Sequence, residues 1–437
     1  MTETFAALMA HWPFGIGLLM LLFLIGVPVA FAMAAVGVLG TMAIIGTTPA
    51  FMLLGSTFFD NGRSYSLSVL PLFLIMGNLV VLSGIAPELY NAAHAWLRHR
   101  KGGLAMATVV AAGGFSSVCG SSMATAATMA KISLPSMRRF GYPDSLSTAS
   151  IAAGGTLGIL IPPSVILVIY GIMTRQDIGK LFLAGIIPGV LGVLGYMAAV
   201  QISVRWRGLD LPVEPKLPLR ARLAALKGTI GAALLFLFVM GGIYLGVFTP
   251  TESAGMGAGA ALLLTLVTGR FRLAAVFETL YESAKTTAMM FFVLFGALTF
   301  TNYVNLSGMT QDLQAFLRTF GGSPMAVILI ILAIYVVMGC FFEGLSMITL
   351  TVPVFYPIVA SYGFDLIWFG IFIVIVTEIS YITPPVGMNA FVLRGVVRNV
   401  SLATIFSGLT PFVLIDFVRI GLIIAFPILA TFLPSHM

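Results

Sequence analysis

Two proline pairs that interrupt long apolar segments constrain the fold of this chain more than any other feature. Pro162-Pro163 and Pro384-Pro385 are 222 residues apart, and each follows an apolar stretch that contains glycine and serine. Proline interrupts a helix because it lacks a backbone N–H and clashes with the preceding turn. In hydrocarbon, an unwound stretch persists only where it is buried in protein or lines a polar cavity. The pairs therefore indicate two broken membrane helices at matching positions, which is typical of secondary transporters.

The composition places the chain in a membrane. Of its 437 residues, 59% are hydrophobic and 8% are charged, which leaves too little polar surface to solvate a globule. The net charge of +7 does not indicate nucleic-acid binding, because the basic residues gather in short loops, where they orient membrane helices. The two cysteines and four histidines show no metal-ligand spacing, so we expect no metal or thiol chemistry and no cofactor. The start, Met1 to Thr4, lacks the basic region of a signal peptide, so we expect the first apolar stretch to be a retained span.

An internal repeat extends well beyond the proline pairs. The same offset of 222 residues relates Pro28 to Pro250, and it recurs at other prolines and glycines. We therefore predict an all-α polytopic membrane protein with a first repeat at 1–204, a basic cytoplasmic linker at 205–227 and a second repeat at 228–437. The other predicted elements are spans near 5–26, 28–46, 66–84 and 181–204, their counterparts near 228–248, 250–268, 286–305 and 401–432, and interfacial arms at 51–63 and 273–285.

Each repeat also contains a predicted re-entrant hairpin before its broken helix. The first hairpin, 104–136, has 33 residues, or about 50 Å of helix, which is too long for one span and short for two. Basic residues flank both of its ends, so both ends are expected on the cytoplasmic side. Its counterpart, 323–360, has only Arg318 as a flanking base, which fits the outer side. The repeats are thus predicted to be inverted, with broken helices near 146–173 and 365–397.

Unwound backbone beside the proline pairs predicts ion or substrate chemistry. Helix N-termini favour anions, whereas free carbonyls and helix C-termini favour cations. We place the first hairpin tip at 118–125, facing Gly154 to Gly158, and the second near 342–346, facing 378–389. The alternative is that these small residues only pack helices closely.

Two glutamates fall inside apolar segments of the second repeat. Glu343 and Glu378 are costly in a membrane, and such acids mark ion or substrate paths by default. The alternative of a structural carboxylate remains open for each. Asp416 and Arg419, three residues apart in the last span, are interpreted as a structural pair.

At these residues the chain resembles the large membrane subunit of tripartite ATP-independent periplasmic (TRAP) transporters, the DctM-like family. The resemblance covers nearly the whole length, and its motifs occur in the family's order. They are Ser64 to Asn78, Gly120-Ser121-Ser122-Met123-Ala124-Thr125, Gly154 to Ser164, Phe248-Thr249-Pro250-Thr251-Glu252-Ser253-Ala254, and Ile382 to Asn389.

This resemblance implies an elevator mechanism, in which the hairpins and broken helices move against a scaffold. It also implies that Na⁺ binds between each hairpin tip and its proline loop. The sodium-binding residues would then be Gly120, Ser121, Ser122, Gly154, Thr156 and Pro162 in the first repeat, and Gly344, Ser346, Glu378, Thr383 and Gly387 in the second. The substrate-binding candidates are Ser122, Thr125, Ser164, Glu343, Met388 and Asn389.

The chain departs from the family pattern at both tips. Many members have serine where this chain has Cys119. Some dicarboxylate members have Glu-Pro-Ser-Ser where this chain has Glu343-Gly344-Leu345-Ser346, which argues against a C4-dicarboxylate as the substrate.

The resemblance implies a function as well as a fold. It implies the large permease subunit of a Na⁺-coupled importer of a small organic acid in the bacterial inner membrane. Its partners would be a small four-span membrane subunit and a periplasmic binding protein. A stand-alone ion-coupled exchanger or channel is the main alternative, and an intramembrane enzyme would require a catalytic constellation that we do not find.

Overall fold

The computed structural model describes residues 3–319, 323–385, 387–397 and 399–437, and within these ranges the chain is helical without β-strands. The first half contains helices α1 to α11, which are joined by short turns. Their bounds are Glu3–Ala10, Trp12–Leu24, Val29–Ile45, Thr47–Gly62, Val69–Ser83, Ala86–Leu97, Gly103–Cys119, Ser122–Arg139, Asp144–Thr156, Val165–Thr174 and Ile178–Trp206.

The second half follows a short helix, α12, which spans Leu219–Ala225 within the predicted linker. Helices α13 to α22 come next. Their bounds are Ile230–Tyr244, Pro250–Val267, Leu273–Leu306, Met309–Thr319, Pro324–Gly339, Gly344–Ser361, Leu366–Ser380, Met388–Val396, Leu402–Ala425 and Ile428–Thr431.

Length separates two kinds of apolar helix. Among the described residues, six helices are long and apolar enough to cross a membrane alone, including α11 and α21. The first arms of both hairpins and parts of both broken helices are shorter, such as α7 with 17 residues and α10 with 10. A helix of 17 residues is about 26 Å long, less than the ~30 Å hydrocarbon core. By length these helices fall at or below the lower limit for a single membrane span.

Each interruption coincides with a proline pair. In the first half, α9 passes through a short 3₁₀ turn to Pro162-Pro163, and α10 begins at Val165. In the second half, α19 ends before Pro384-Pro385 and α20 begins at Met388. Both Pro-Pro bonds are cis. Val386, which completes the second motif, lies outside the described residues.

The structure corrects two predicted boundaries. The predicted arm 273–285 and span 286–305 form one uninterrupted helix, α15, of 34 residues. Its sequence has no proline and no glycine near the expected junction, so nothing ends the helix there. Conversely, the predicted span 5–26 is divided at His11, where Pro13 lies at the start of α2. Helices α6 and α16 were not predicted as separate elements.

The contact between α3 and α15 depends on glycines that bring the two helix backbones together. A β-carbon on Gly296 of α15 would lie 2.3 Å from the Ala30 carbonyl oxygen of α3, and one on Gly37 of α3 would lie 2.7 Å from backbone atoms of Thr299. Such contacts are typical of membrane helix pairs, because small residues allow close approach. An apolar cluster that includes Met33, Phe300 and Tyr303 surrounds the contact.

Gly296→Ala is expected to destabilise this contact by about 1–3 kcal/mol, the usual cost of overpacking. A thermal-unfolding series in detergent measures the change. Gly241→Ala on α13 is the control, because its β-carbon would meet no atom within 4 Å. Equal melting temperatures for the two variants would contradict the predicted close contact.

Candidate functional site

The first hairpin tip packs directly against its proline loop. Gly120 connects α7 to α8 with a φ of +66°, a conformation that favours glycine. A β-carbon there would lie 2.8 Å from the Pro163 carbonyl oxygen, and one on Gly158 would lie 3.3 Å from the Ser121 carbonyl oxygen. The Ser121 hydroxyl caps α8 by accepting a hydrogen bond from the Ala124 N–H at 3.3 Å. The tip and the loop therefore place backbone carbonyls and a helix N-terminus side by side.

A buried asparagine joins this tip to the second half of the chain. The Asn389 amide, on α20, donates to the Ser122 hydroxyl at 2.8 Å and to the Ala152 carbonyl oxygen at 2.8 Å. The Ser122 hydroxyl lies 3.0 Å from the Asn389 amide oxygen as well. Neither residue is more than 3% exposed. The broken helix of one half thus holds the hairpin of the other.

The second tip is built around Glu343. This residue precedes α18, and its carboxylate accepts hydrogen bonds from the Ser346 hydroxyl at 3.3 Å and from the Tyr381 hydroxyl at 3.5 Å. A β-carbon on Gly344 would lie 2.6 Å from side-chain atoms of both Thr377 and Tyr381. The second tip therefore packs against the end of α19, just before the second proline loop.

A cavity of about 180 Å³ lies between the two tips. Its polar lining comes from both tips, from Tyr381, and from Asn78 on α5 and Thr286 on α15. Of the residues that the structure describes, no lysine, arginine or histidine lines it. The lining residues are Leu74, Asn78, Cys119, Gly120, Ser121, Ser122, Met123, Ile159, Val165, Ile166, Thr286, Met289, Met290, Glu343, Leu345 and Tyr381.

The N-termini of two helices face this cavity. Helix α8 begins at Ser122 and α18 begins at Gly344, and residues at both starts line the cavity or adjoin its lining. The first N–H groups of a helix have no intrahelical partner, and the helix dipole makes this end partly positive. The N-terminus of α8 can therefore hold an anionic group without a basic side chain, whereas the start of α18 already faces the Glu343 carboxyl.

A separate charged cluster is fully buried behind the proline loops. Arg419 of α21 forms salt bridges with Glu378 of α19 and, at 2.8 Å, with Asp416. The Tyr196 hydroxyl of α11 donates to Asp416 at 2.7 Å and lies 3.0 Å from the Thr156 hydroxyl. The pairing of Asp416 with Arg419 is thus confirmed, and the side chains of all three charged residues are at most 3% exposed.

The structure brings some predicted site residues together and separates others. Gly120, Ser121, Ser122 and Glu343 line the cavity. The Thr383 hydroxyl donates to the Ile379 carbonyl oxygen at 2.6 Å, and Gly387, just before α20, has a φ of +56° and lies close to Thr383. Ser346 bonds to Glu343, and Pro162 lies in the loop that faces the first tip.

Other predicted residues have different surroundings. The Glu378 carboxylate is turned toward Arg419 rather than toward the second tip, and it belongs to the buried cluster. The Thr156 hydroxyl faces Tyr196, and Gly154 packs against Ala112 of α7. The remaining substrate-binding candidates are not part of the cavity lining, and these are Thr125, Ser164, Met388 and Asn389.

Sequence reasoning did not name Tyr196, Tyr381 or Asn78 as site residues, although Asn78 ends one of the family motifs and Tyr381 lies in the predicted second break. Tyr196 is a single polar side chain in an apolar helix, which gives no motif. The signal that could have found Tyr196 is its phenol in an apolar span, because a buried hydroxyl needs a hydrogen-bond partner. Two carboxylates and an arginine in other membrane segments are the available partners.

Comparison with known proteins identifies a family over most of the chain. Residues 16–429 match the family described as "Tripartite ATP-independent periplasmic transporter, DctM component". The C4-dicarboxylate TRAP transporter large permease protein DctM of Pseudomonas aeruginosa is 36% identical over 405 residues, which cover 92% of this chain and 94% of that protein. The ectoine TRAP transporter large permease protein TeaC of Halomonas elongata is 30% identical, with coverage of 94% and 96%.

A solved structure has a similar fold. The YdaH transporter of Alcanivorax borkumensis superposes with a TM-score of 0.60 and 17% sequence identity, covering 87% of this chain and 89% of that one. At this identity the likeness concerns the fold alone. It agrees with an all-helical transporter architecture.

Proposed function

The chain belongs to the DctM family of large TRAP transporter permeases and is a multi-pass protein of the inner membrane, and from this premise we propose that it imports a small organic acid by Na⁺-coupled elevator movement. The relatives are permeases rather than enzymes. The observation that carries the proposal is the cavity between the two hairpin tips, which scaffold helices α5 and α15 close from the other side. In an elevator mechanism this boundary is where the substrate would sit during movement.

The substrate class follows from the polar groups around the cavity. The N-terminus of α8 would hold a carboxylate through the N–H groups at its start, whereas the Glu343 carboxyl already lies at the start of α18. The Ser122 hydroxyl and the Asn78 amide would bind further oxygen atoms of a small acid. The curated relatives are named for C4-dicarboxylates, sialic acid and ectoine, so the family accommodates several acids around one fold.

For the coupling ion we propose two Na⁺ sites, one beside each proline loop. The first would use carbonyl and hydroxyl oxygens at Gly120, Ser121, Ser122 and Pro162, with Gly154 and Thr156 contributing backbone oxygens. The second would use Gly344, Ser346, Thr383 and Gly387, without the Glu378 carboxylate, because Arg419 already pairs with it. Close packing of tips and loops supports this arrangement, since oxygen ligands must converge on a cation.

We further propose that a small four-span membrane subunit and a periplasmic binding protein complete the transporter, as the tripartite family name implies. Proteoliposomes that contain this chain with both partners should accumulate the acid bound by the binding protein when a Na⁺ gradient points inward. Transport by this chain alone would instead support a stand-alone exchanger. Uptake that ignores the Na⁺ gradient would overturn the coupling proposal and leave the permease assignment intact.

The double variant Ser121→Ala/Thr383→Ala is expected to raise the Na⁺ concentration for half-maximal uptake roughly tenfold. In free energy, a change of this size corresponds to the net contribution of about one hydrogen bond. Uptake is measured as a function of external Na⁺. The matched control Ser117→Ala/Thr301→Ala removes two hydroxyls that only bond to carbonyls of their own helices. An unchanged Na⁺ dependence in the first variant would remove both side chains from the proposed sites.

A further inference from the structure

A basic cavity opens where the end of α11 meets the turn between α6 and α7. Its volume is about 670 Å³, and its lining residues are Arg100, Lys101, Ala198, Gln201, Ile202, Val204 and Arg205. Three of these carry a positive charge. The sequence places this turn and the linker on the cytoplasmic side, where anionic lipids give the membrane surface a negative potential.

Acids from the linker neutralise only part of this positive charge. Glu214 forms salt bridges with Arg98 and His94, next to the cavity. Asp210 lies 3.4 Å from Lys101, but its own side chain is 96% exposed, so that pair is worth little. In the described part of the chain, Arg100 and Arg205 form no salt bridge. The cavity therefore retains two arginines and a loosely held lysine without firm acidic partners.

An apolar stripe leads from this cavity into the membrane. Val190, Leu194 and Ala198 follow one another at intervals of four residues and lie on one exposed face of α11, which the cavity residues Gln201 and Arg205 continue. Val190 and Leu194 are 53% and 57% exposed, and Trp206, at the C-terminal end of α11, is 77% exposed. From Val190 to Gln201 this face is about 17 Å long, close to half of the ~30 Å hydrocarbon core. Its length suits the acyl chain of a lipid in one leaflet.

The basic cavity and the apolar stripe together fit a single amphiphilic ligand. We propose that an anionic phospholipid binds here, with its phosphate between Arg100, Lys101 and Arg205 and one acyl chain along the exposed face of α11. Arginine suits this role because its guanidinium group forms paired hydrogen bonds with phosphate oxygens. Trp206 has the residue type and position that anchor helices at the membrane interface.

The test compares lipids with the purified full-length chain in detergent. Phosphatidylglycerol should bind and raise the melting temperature, whereas phosphatidylcholine, with the same acyl chains, should have a much smaller effect. Each basic residue near an anionic headgroup changes affinity roughly fivefold, so Arg100→Gln/Arg205→Gln should weaken phosphatidylglycerol binding about thirtyfold. Native mass spectrometry measures the bound fraction.

The control variant Lys216→Gln/Arg220→Gln removes the same charge from exposed linker positions outside the cavity, and it should retain lipid binding. Equal loss in both variants, or equal binding of phosphatidylcholine, would overturn the proposal. Inorganic phosphate separates a lipid site from a simple anion site, because phosphate alone should neither stabilise the chain nor displace the lipid. Exclusion of phosphatidylglycerol after co-expression with the small membrane subunit would identify the face as a subunit contact and would also overturn it.

Discussion

Replacing Arg419 with methionine is expected to destabilise the protein by about 3–5 kcal/mol, because it leaves two buried carboxyl groups without their cation. Glu378 and Asp416 both pair with this guanidinium, and neither side chain has any exposed surface. Methionine keeps much of the arginine's volume, so the loss reflects charge rather than a cavity. The measurement is thermal unfolding in detergent, supported by the yield of monodisperse protein.

A rescue experiment separates the loss of charge from general damage to α21. Adding Glu378→Gln and Asp416→Asn to Arg419→Met removes the uncompensated acids and should recover a substantial part of the stability. Glu378→Gln alone should cost far less than Arg419→Met, since glutamine still accepts a hydrogen bond from Arg419. If Arg419→Met unfolds at the wild-type temperature, the cluster is not the stabilising ionic centre described above.

Asn389→Leu is expected to reduce transport by at least tenfold and to destabilise the fold by about 2–4 kcal/mol. The change removes the amide that bonds to Ser122 and to the Ala152 carbonyl oxygen, and each buried partner left unpaired costs about 1–3 kcal/mol. It also frees the first hairpin tip from α20, which lies in the other half of the chain. Uptake assays and hydrogen exchange at residues 119–125 measure the two effects.

Asn302→Leu is the matched control for this variant. Its amide donates one hydrogen bond to Thr57, which joins α15 to α4 away from the hairpin tips. The control should lose some stability but should not increase hydrogen exchange at the first tip. An Asn389→Leu variant with wild-type uptake and tip exchange would show that this link between the halves is dispensable.

The elements that could be predicted from sequence are those whose signal is local. Each proline pair predicted a broken helix because proline interrupts backbone hydrogen bonding wherever it occurs. The hairpins could be predicted because their length matches neither one membrane span nor two, and because glycine and serine occur at their tips. The family motifs then covered nearly the whole chain, and the match at 16–429 confirms that resemblance.

The parts that could not be predicted depend on which way a helix face turns. Glu378 lies near the second proline loop in sequence, yet its side chain meets Arg419, 41 residues away. Similarly, Asn389 bonds to Ser122 across 267 residues. An apolar helix that is buried on every side has no polar face, so its sequence does not show which side chains face which neighbour. Helix α19 is nearly of this kind. Long-range polar partners therefore emerge only from the assembled structure.

The unbroken helix α15 is longer than the hydrocarbon core of a bilayer. At 34 residues it is about 51 Å long, so roughly 14 residues exceed a ~30 Å hydrocarbon core. Tilt alone would require an angle above the ~40° that membrane helices reach, so the charged first part, with Glu278, Glu282 and Lys285, must extend into the headgroup region. Because α15 has no break at which it could bend, a thinner membrane would tilt the whole helix. The wall of the cavity at Thr286 and Met289 belongs to this helix and would move with it.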